Sequence, residues 1–157
     1  MREFDENKKI YYAKELIDNV PIQLKHDDEV IANIPIKLRY CDEDKILKYK
    51  RDDLEFFLVG NPHTAAELNQ DEIVIRTIFN ALLNFFGKLG YLVDTGIVTK
   101  RELGYFLYYI EKAKDNWAVI HFAKDLDYEL FAVLLNRIGI IPNDLQSLVK
   151  EYNKRAK

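Results

Sequence analysis

The pair of residues with the clearest chemical potential in this 157-residue chain is His121 and Asp125, four positions apart in WAVIHFAKDL. On a helix that spacing puts both side chains on one face, where the carboxylate can accept a hydrogen bond from the imidazole and orient it. Such a pair could bind a small ligand or serve acid–base catalysis, with nearby tyrosines as further polar contacts. The competing reading is a structural histidine tucked beside Trp117 and Phe122. The other two histidines, His26 and His63, stand in separate segments, and none of the three belongs to an HExxH, HxxxH or paired-cysteine pattern, so no metal centre is expected.

Nucleophiles are scarce. The single serine, Ser147, lacks a GxSxG context, and the single cysteine, Cys41, precedes Asp42, Glu43 and Asp44, whose negative charges disfavour a thiolate. The acidic runs Asp27-Asp28-Glu29, Asp42-Glu43-Asp44 and Asp52-Asp53 read as caps of turns and helix starts, because no calcium loop with its glycine accompanies them. Gly87 and Gly90 lie inside a helical run and read as close-packing positions rather than a phosphate cradle. No catalytic residue and no cofactor are therefore expected.

A helix corner at Thr95 to Glu102 carries Lys100 and Arg101 at the start of its second helix, superficially like a helix-turn-helix. That helix then shows Tyr105, Tyr108 and Tyr109 with Glu102 and Glu111 where a recognition helix would expose basic and amide side chains. DNA binding is thus an alternative reading, and nucleic acid is not the expected partner.

These side chains need elements to hold them. Apolar residues at helical spacing predict a first helix over 5–19, stopped by Pro21. Alternation over Val20, Ile22, Leu24 and then Val30 to Tyr40 predicts a β-hairpin within residues 20–40, turning at 26–29; the rival reading makes Asp27 to Ile34 a short helix with Val30, Ile31 and Ile34 inward. A helix capped by Asp42 is expected to run through Ile46, Leu47, Leu54, Phe57 and Leu58 to Gly60, followed by a loop and a short turn capped by Thr64.

From Asp71 a long helix follows through IVIRTIFNALLNFFGKLGYLV, apolar except for a stripe of Arg76, Asn80, Asn84, Lys88 and Tyr91. A membrane span would bury Lys88 and two asparagines in lipid at a cost of roughly 2.5–3.5 kcal/mol for the charge alone, so a helix surrounded by protein is the better reading. Gly96 should end it, and Thr99 with Glu102 forms a capping box, with Val98 and Leu103 placed as a hydrophobic staple. The helix from Lys100 should bury Leu103, Phe106, Leu107 and Ile110. Further helices are read from Asn116, from an Asp127 cap to Gly139, and from an Asn143 cap with Leu145, Leu148, Val149 and Tyr152 inward. The fold expected is a mainly α bundle of about 5–7 helices with one small β-hairpin. Residues 1–60 would be an N-terminal helical region and residues 61–157 a C-terminal bundle, in one continuous fold.

Composition fits such a core: 48% of residues are hydrophobic and 13% aromatic. Net charge is −3, with an acidic first half and a mildly basic second half, too even for a nucleic-acid surface. A single thiol suits a reducing compartment, and the N-terminal MREFDENKKIYYAKELIDN lacks the apolar core of a signal peptide, so a cytoplasmic setting is expected.

The phrase formed by NFF (Asn84 to Phe86), Leu89, GIV (Gly96 to Val98) and Glu102-Leu103 resembles the core of an uncharacterised bacterial helical domain often found behind membrane-anchoring helices. That domain often has an acidic residue after the aromatic pair, where this chain has Gly87-Lys88. The resemblance implies a helical fold and a membrane-associated partner, and implies no catalytic residues. The function expected is a non-catalytic helical module for protein interaction or regulation, contacting a protein partner or a second copy of itself. Its candidate surfaces are the Asn80, Asn84, Lys88 stripe and the tyrosines Tyr105, Tyr108 and Tyr109, although core packing is the competing account of each tyrosine.

Overall fold

The computed structural model describes residues 2–25, 28–32, 47–59 and 70–156. Within them the chain is mainly α-helical, with ten α-helices and one two-stranded antiparallel ribbon. It divides into two compact units, Met1–Ala81 and Leu82–Lys157.

The first unit begins with α1 (Arg2–Glu6) and α2 (Lys8–Ile17). The single helix expected over 5–19 breaks at Asn7, whose extended backbone lets its side-chain oxygen accept the Lys9 and Ile10 N–H groups at 2.9 and 3.2 Å. Ile10, Ala13, Leu16 and Ile17 bury one stripe of α2, and Asn19 turns the chain with a φ of 65° before Pro21. Lys14 is only 7% exposed; its ammonium lies 4.3 Å over the Phe4 ring and 3.6 Å from Asp5, which compensates its desolvation.

The ribbon pairs β1 (Ile22–Leu24) with β2 (Leu47–Tyr49), placing Ile22 opposite Tyr49 and Leu24 opposite Leu47. The expected first strand is present, but its partner comes from farther along the chain than residue 40. Val30 and Ile31 instead belong to a short helix, α3 (Glu29–Ala32), both fully buried as the rival helical reading has them. The expected remainder of the second strand, residues 33–40, lies outside the described residues. Leu47, read as helical, is a strand residue, and helix α4 (Asp53–Leu58) starts after the ribbon. The reason is packing: alternate residues of each strand, Ile22 and Leu24, Leu47 and Tyr49, are buried with polar residues between them.

Each strand leads into its helix through the same device. The Lys25 N–H donates to Asp28 Oδ2 at 2.7 Å, and the Lys50 N–H donates to Asp53 Oδ2 at 2.8 Å. The acidic residues thus close the turns at the helix starts, whereas Asp52, at the N-cap position of α4, makes no side-chain cap hydrogen bond. Asp42 and Thr64 lie outside the described residues.

Helix α5 (Gln70–Asp94) contributes its first turns to this unit and the rest to the second. Val74, Ile75, Ile78 and Phe79 are fully buried. Arg76 donates to the Phe57 carbonyl at 3.0 Å near the end of α4, and the Tyr49 hydroxyl donates to Asp71 at 2.9 Å. Among the described helices, α5 is the one long and apolar enough to cross a membrane, yet 61% of its most apolar window is buried within the protein.

The second unit continues with α6 (Lys100–Leu103), α7 (Tyr105–Asp115), α8 (Trp117–Asp125), α9 (Glu129–Arg137) and α10 (Gln146–Ala156). Helices are more numerous than expected because single runs are cut by local backbone, as at Gly104 with φ 46° and ψ −116° between α6 and α7. The Thr95 to Glu102 corner forms as read: Gly96 has φ 77°, the Ile97 N–H reaches back to the Leu92 carbonyl at 2.9 Å, and both halves of the capping box are made. Two expected caps differ. Asp127 has a φ of 55° and Tyr128 precedes α9 without a side-chain cap, while Asn143 opens a 3-10 turn that leads into α10.

The core of this unit rests on a close crossing of α5 and α9. Phe86 stacks on Phe131 at 5.8 Å and 20°, and a Cβ on Gly90 would collide with the backbone carbonyl of Leu130 and lie 3.2 Å from the Leu134 Cβ. At Gly87 the nearest atom to a new Cβ is the Leu130 Cβ at 3.4 Å, ordinary contact. Gly90→Ala is therefore expected to force the two helices apart and cost about 2 kcal/mol or more. Gly87→Ala should stay within about 1 kcal/mol because improved helix propensity offsets tighter packing. Urea unfolding of the two variants checks this, and equal stabilities would refute the close-crossing account.

Candidate functional site

The tyrosine surface is built by α7. Thr99 and Glu102 fix the entry, Gly104 resets the chain direction, and Asn116 ends α7 while capping α8 by accepting the Val119 N–H at 3.2 Å. With about 100° of rotation per residue, Tyr105, Tyr108, Tyr109 and Lys112 fall within one narrow arc. Ile110, fully buried, lies across the helix from them, and Ala113, also fully buried, borders the arc beside Tyr109.

Packing in the core is therefore not the main fate of these rings. Tyr105 and Tyr108 are 53% and 49% exposed, and Tyr109 is half-buried. Tyr109 meets Tyr105 edge to face at 5.7 Å and Tyr108 at 4.9 Å, so the three rings form one ordered cluster. The Lys112 ammonium sits 5.6 Å from the centre of the Tyr108 ring. Phe106 and Leu107, both expected to be buried, are half-buried, with the Phe106 ring 5.6 Å from Phe85 of α5.

On α8 the His121 imidazole lies 3.3 Å from Asp125, as the spacing predicts. The side chain is 35% exposed, hence partly buried. Trp117, one turn earlier, stacks parallel to the imidazole at 6.0 Å and 8° and is itself 56% exposed. Trp117, His121 and Asp125 thus form a shelf along one helix face. A shallow depression of about 530 Å³ lies elsewhere, along α10, lined by Ser147, Lys150, Glu151, Asn153 and Lys154. Ser147 is exposed there.

The stripe on α5 separates by position. Asn80, in the first unit, is half-buried, whereas Asn84 and Lys88, in the second, are exposed. At the helix corner, Lys100 donates to the Ile138 carbonyl at 3.0 Å and so caps the end of α9. One of the two cations of the helix-turn-helix reading is thereby engaged within the fold, and α6 is only four residues long. Among the described residues no group of three or more histidine, cysteine and acidic side chains is placed to hold a metal. Cys41, His26 and His63 lie outside the described residues.

The sequence reading missed a polar centre made by Asp94, Arg137 and Tyr152. Arg137 donates through Nε and Nη2 to Asp94 Oδ1 at 2.9 and 2.7 Å, and the Tyr152 hydroxyl donates to Oδ2 at 2.8 Å. Asp94 stands in the last turn of α5, where the helix dipole disfavours a negative charge, and these donors offset that cost. Separations of 43 and 58 residues leave no local sequence signal for it. The Tyr152 and Arg137 hydrogen bonds hold the Asp94 carboxyl below its ordinary value of 3.8, and the same hydrogen bond to Asp94 raises the Tyr152 phenol above 10.0. Burial pushes the Tyr128 phenol up to about 12.

No protein-family model matches the chain, and no curated protein or solved structure shows significant similarity to it.

The Asp94 centre sets a pH window. A carboxyl with a depressed folded-state pKa contributes stability above its unfolded value and loses it as pH falls through the folded one; a raised phenol contributes below 10.0 and loses it as pH rises. Asp94→Asn is expected to cost about 1–2 kcal/mol at neutral pH, the scale of hydrogen bonds to a charged group. The cost should begin to shrink as pH falls below 3.8, where the unfolded carboxyl protonates first, and disappear only below the lower folded-state value. Urea denaturation at a series of pH values checks it; a cost that does not change with acidification would remove Asp94 from this role.

Proposed function

We propose that this chain is a non-catalytic helical module, cytoplasmic in setting, that works through protein contact, with the outer face of α7 as its contact surface. The observation that carries the reading is the ordered cluster of Tyr105, Tyr108 and Tyr109, two of them about half exposed, held on a helix whose opposite side is core. Tyrosine suits this task because a rigid ring offers apolar area and a hydroxyl at small conformational cost, which is why it concentrates at interface centres. The resemblance to a bacterial helical domain found behind membrane anchors supports a membrane-associated protein as one kind of partner. Exposed Asn84 and Lys88 on α5 are a second, more polar candidate surface.

The test compares wild type with Tyr105→Ser/Tyr108→Ser as bait in pull-downs from cell extract read by mass spectrometry. The reading expects a protein retained by wild type and reduced at least tenfold by the double variant. Equal retention by both, with both folded by circular dichroism, overturns it.

A second reading has one specific observation behind it: the parallel Trp117–His121 stack, with an Asp125 carboxylate oxygen 3.3 Å from the imidazole, is a shelf onto which a planar ligand could lie. Titration of the 15N-labelled protein with small heteroaromatic compounds is expected to shift the Trp117 indole and the α8 amides together. Absence of any shift at millimolar ligand would dispose of the shelf as a binding site.

A further inference from the structure

We propose that α10 is a hinged strap, which lifts from α9 as one piece while the rest of the second unit stays folded, with Tyr152 and Arg155 as its latch. This is independent of the role given to α7. The apolar anchoring of α10 is thin and confined to its start: of its eleven residues Leu148 and Val149 are buried, and none from Lys150 onward is. Helix α9, on which α10 packs, buries five of its nine, Phe131 to Leu135. An apolar stripe that stops after one turn leaves the following turns without the burial that normally holds a short helix in place.

What holds those turns is polar. The Tyr152 hydroxyl donates to Asp94 Oδ2 at 2.8 Å, and Arg155 pairs with Glu129 in the first turn of α9. Asp94 divides its two oxygens in a way that makes α10 separable. Oδ1 takes both Arg137 bonds, so α5 and α9 stay joined through it, while Oδ2 serves Tyr152. Releasing the latch strands no buried charge, because the Asp94 side chain already keeps 17% exposure and that of Arg155 is 64% exposed. At the other end Pro142, with its ring-fixed φ, and the 3-10 turn Asn143–Leu145 supply the hinge, with fully buried Leu145 as the pivot that stays in place. Lifting uncovers Leu148, Val149 and the face of α9 beneath α10, an apolar surface concealed in the closed form.

Native-state hydrogen exchange of the 15N-labelled full chain, followed residue by residue at increasing urea below the unfolding transition, tests the strap. In wild type the amides of Lys150 to Ala156 should share one protection level, lower than that of the α5 amides from Leu82 to Leu89. Their exchange should also respond only weakly to urea, since the slope scales with the surface an opening exposes, whereas the α5 amides should show the full slope of global unfolding. Tyr152→Phe/Glu129→Gln, which removes both latch contacts and no apolar anchor, should accelerate the shared α10 exchange by about tenfold and leave its weak urea dependence intact. Three results would each overturn the proposal. Exchange of α10 in step with α5, at the same rate and slope, means that α10 leaves only when everything unfolds. Protection that falls steadily toward Ala156 means fraying rather than a hinge. An α10 rate indifferent to the double variant means that Tyr152 and Arg155 are no latch.

Discussion

The second unit depends on the absence of one side chain. At Gly90 the backbone of α5 comes so near the Leu130 carbonyl of α9 that any Cβ would overlap it, and this approach fixes the depth at which the two helices interlock. Phe86 can stack on Phe131 because the helices are already this close. Around that crossing, Leu82, Leu89, Leu134 and Leu135 are all excluded from water. Dispersion and apolar burial supply the energy, but the glycine supplies the distance at which they act.

Polar groups complete the frame at the helix ends rather than inside it. Arg155, in the last turn of α10, pairs with Glu129 in the first turn of α9, so each charge also lies at the favourable end of its own helix dipole. Lys100 satisfies a terminal carbonyl of α9, and Asp94 gathers two donors at the end of α5. On α7 and α8, Tyr105, Tyr108 and Trp117 are large exposed rings, among exposed charges such as Glu111, Lys112 and Asp115.

Much of this was legible from the residues, and the exceptions have physical causes. The Thr99–Glu102 box, the helix start at Asn116 and the His121–Asp125 pair are encoded within four residues, and each forms as read. The role of Gly87 and Gly90 as packing positions was also visible, although only the structure shows that Gly90 alone is indispensable to the approach. Leu47 to Tyr49 was misread as helix because three residues carry too short an alternation to declare a strand, and its pairing with Ile22 to Leu24 is long-range. One local signal does exist: Lys25 and Lys50 each stand immediately after a strand and three residues before the aspartate that accepts their N–H. The Asp94, Arg137, Tyr152 centre is assembled from three distant helices, so no spacing rule reaches it. Exposure of the tyrosines, too, depended on which side of α7 the core claims, and aromatic residues on both sides left that choice to packing.

Trp117 is the only tryptophan in the chain, and it lies on the surface against an imidazole rather than in the core. Its indole emission is therefore an optical gauge of the α8 shelf, already water-facing in the folded protein. Loss of the core changes that environment little, so intrinsic tryptophan fluorescence will under-report unfolding while circular dichroism follows it in full. The same property makes this fluorophore a clean reporter of anything that settles on α8, since no buried indole contributes background.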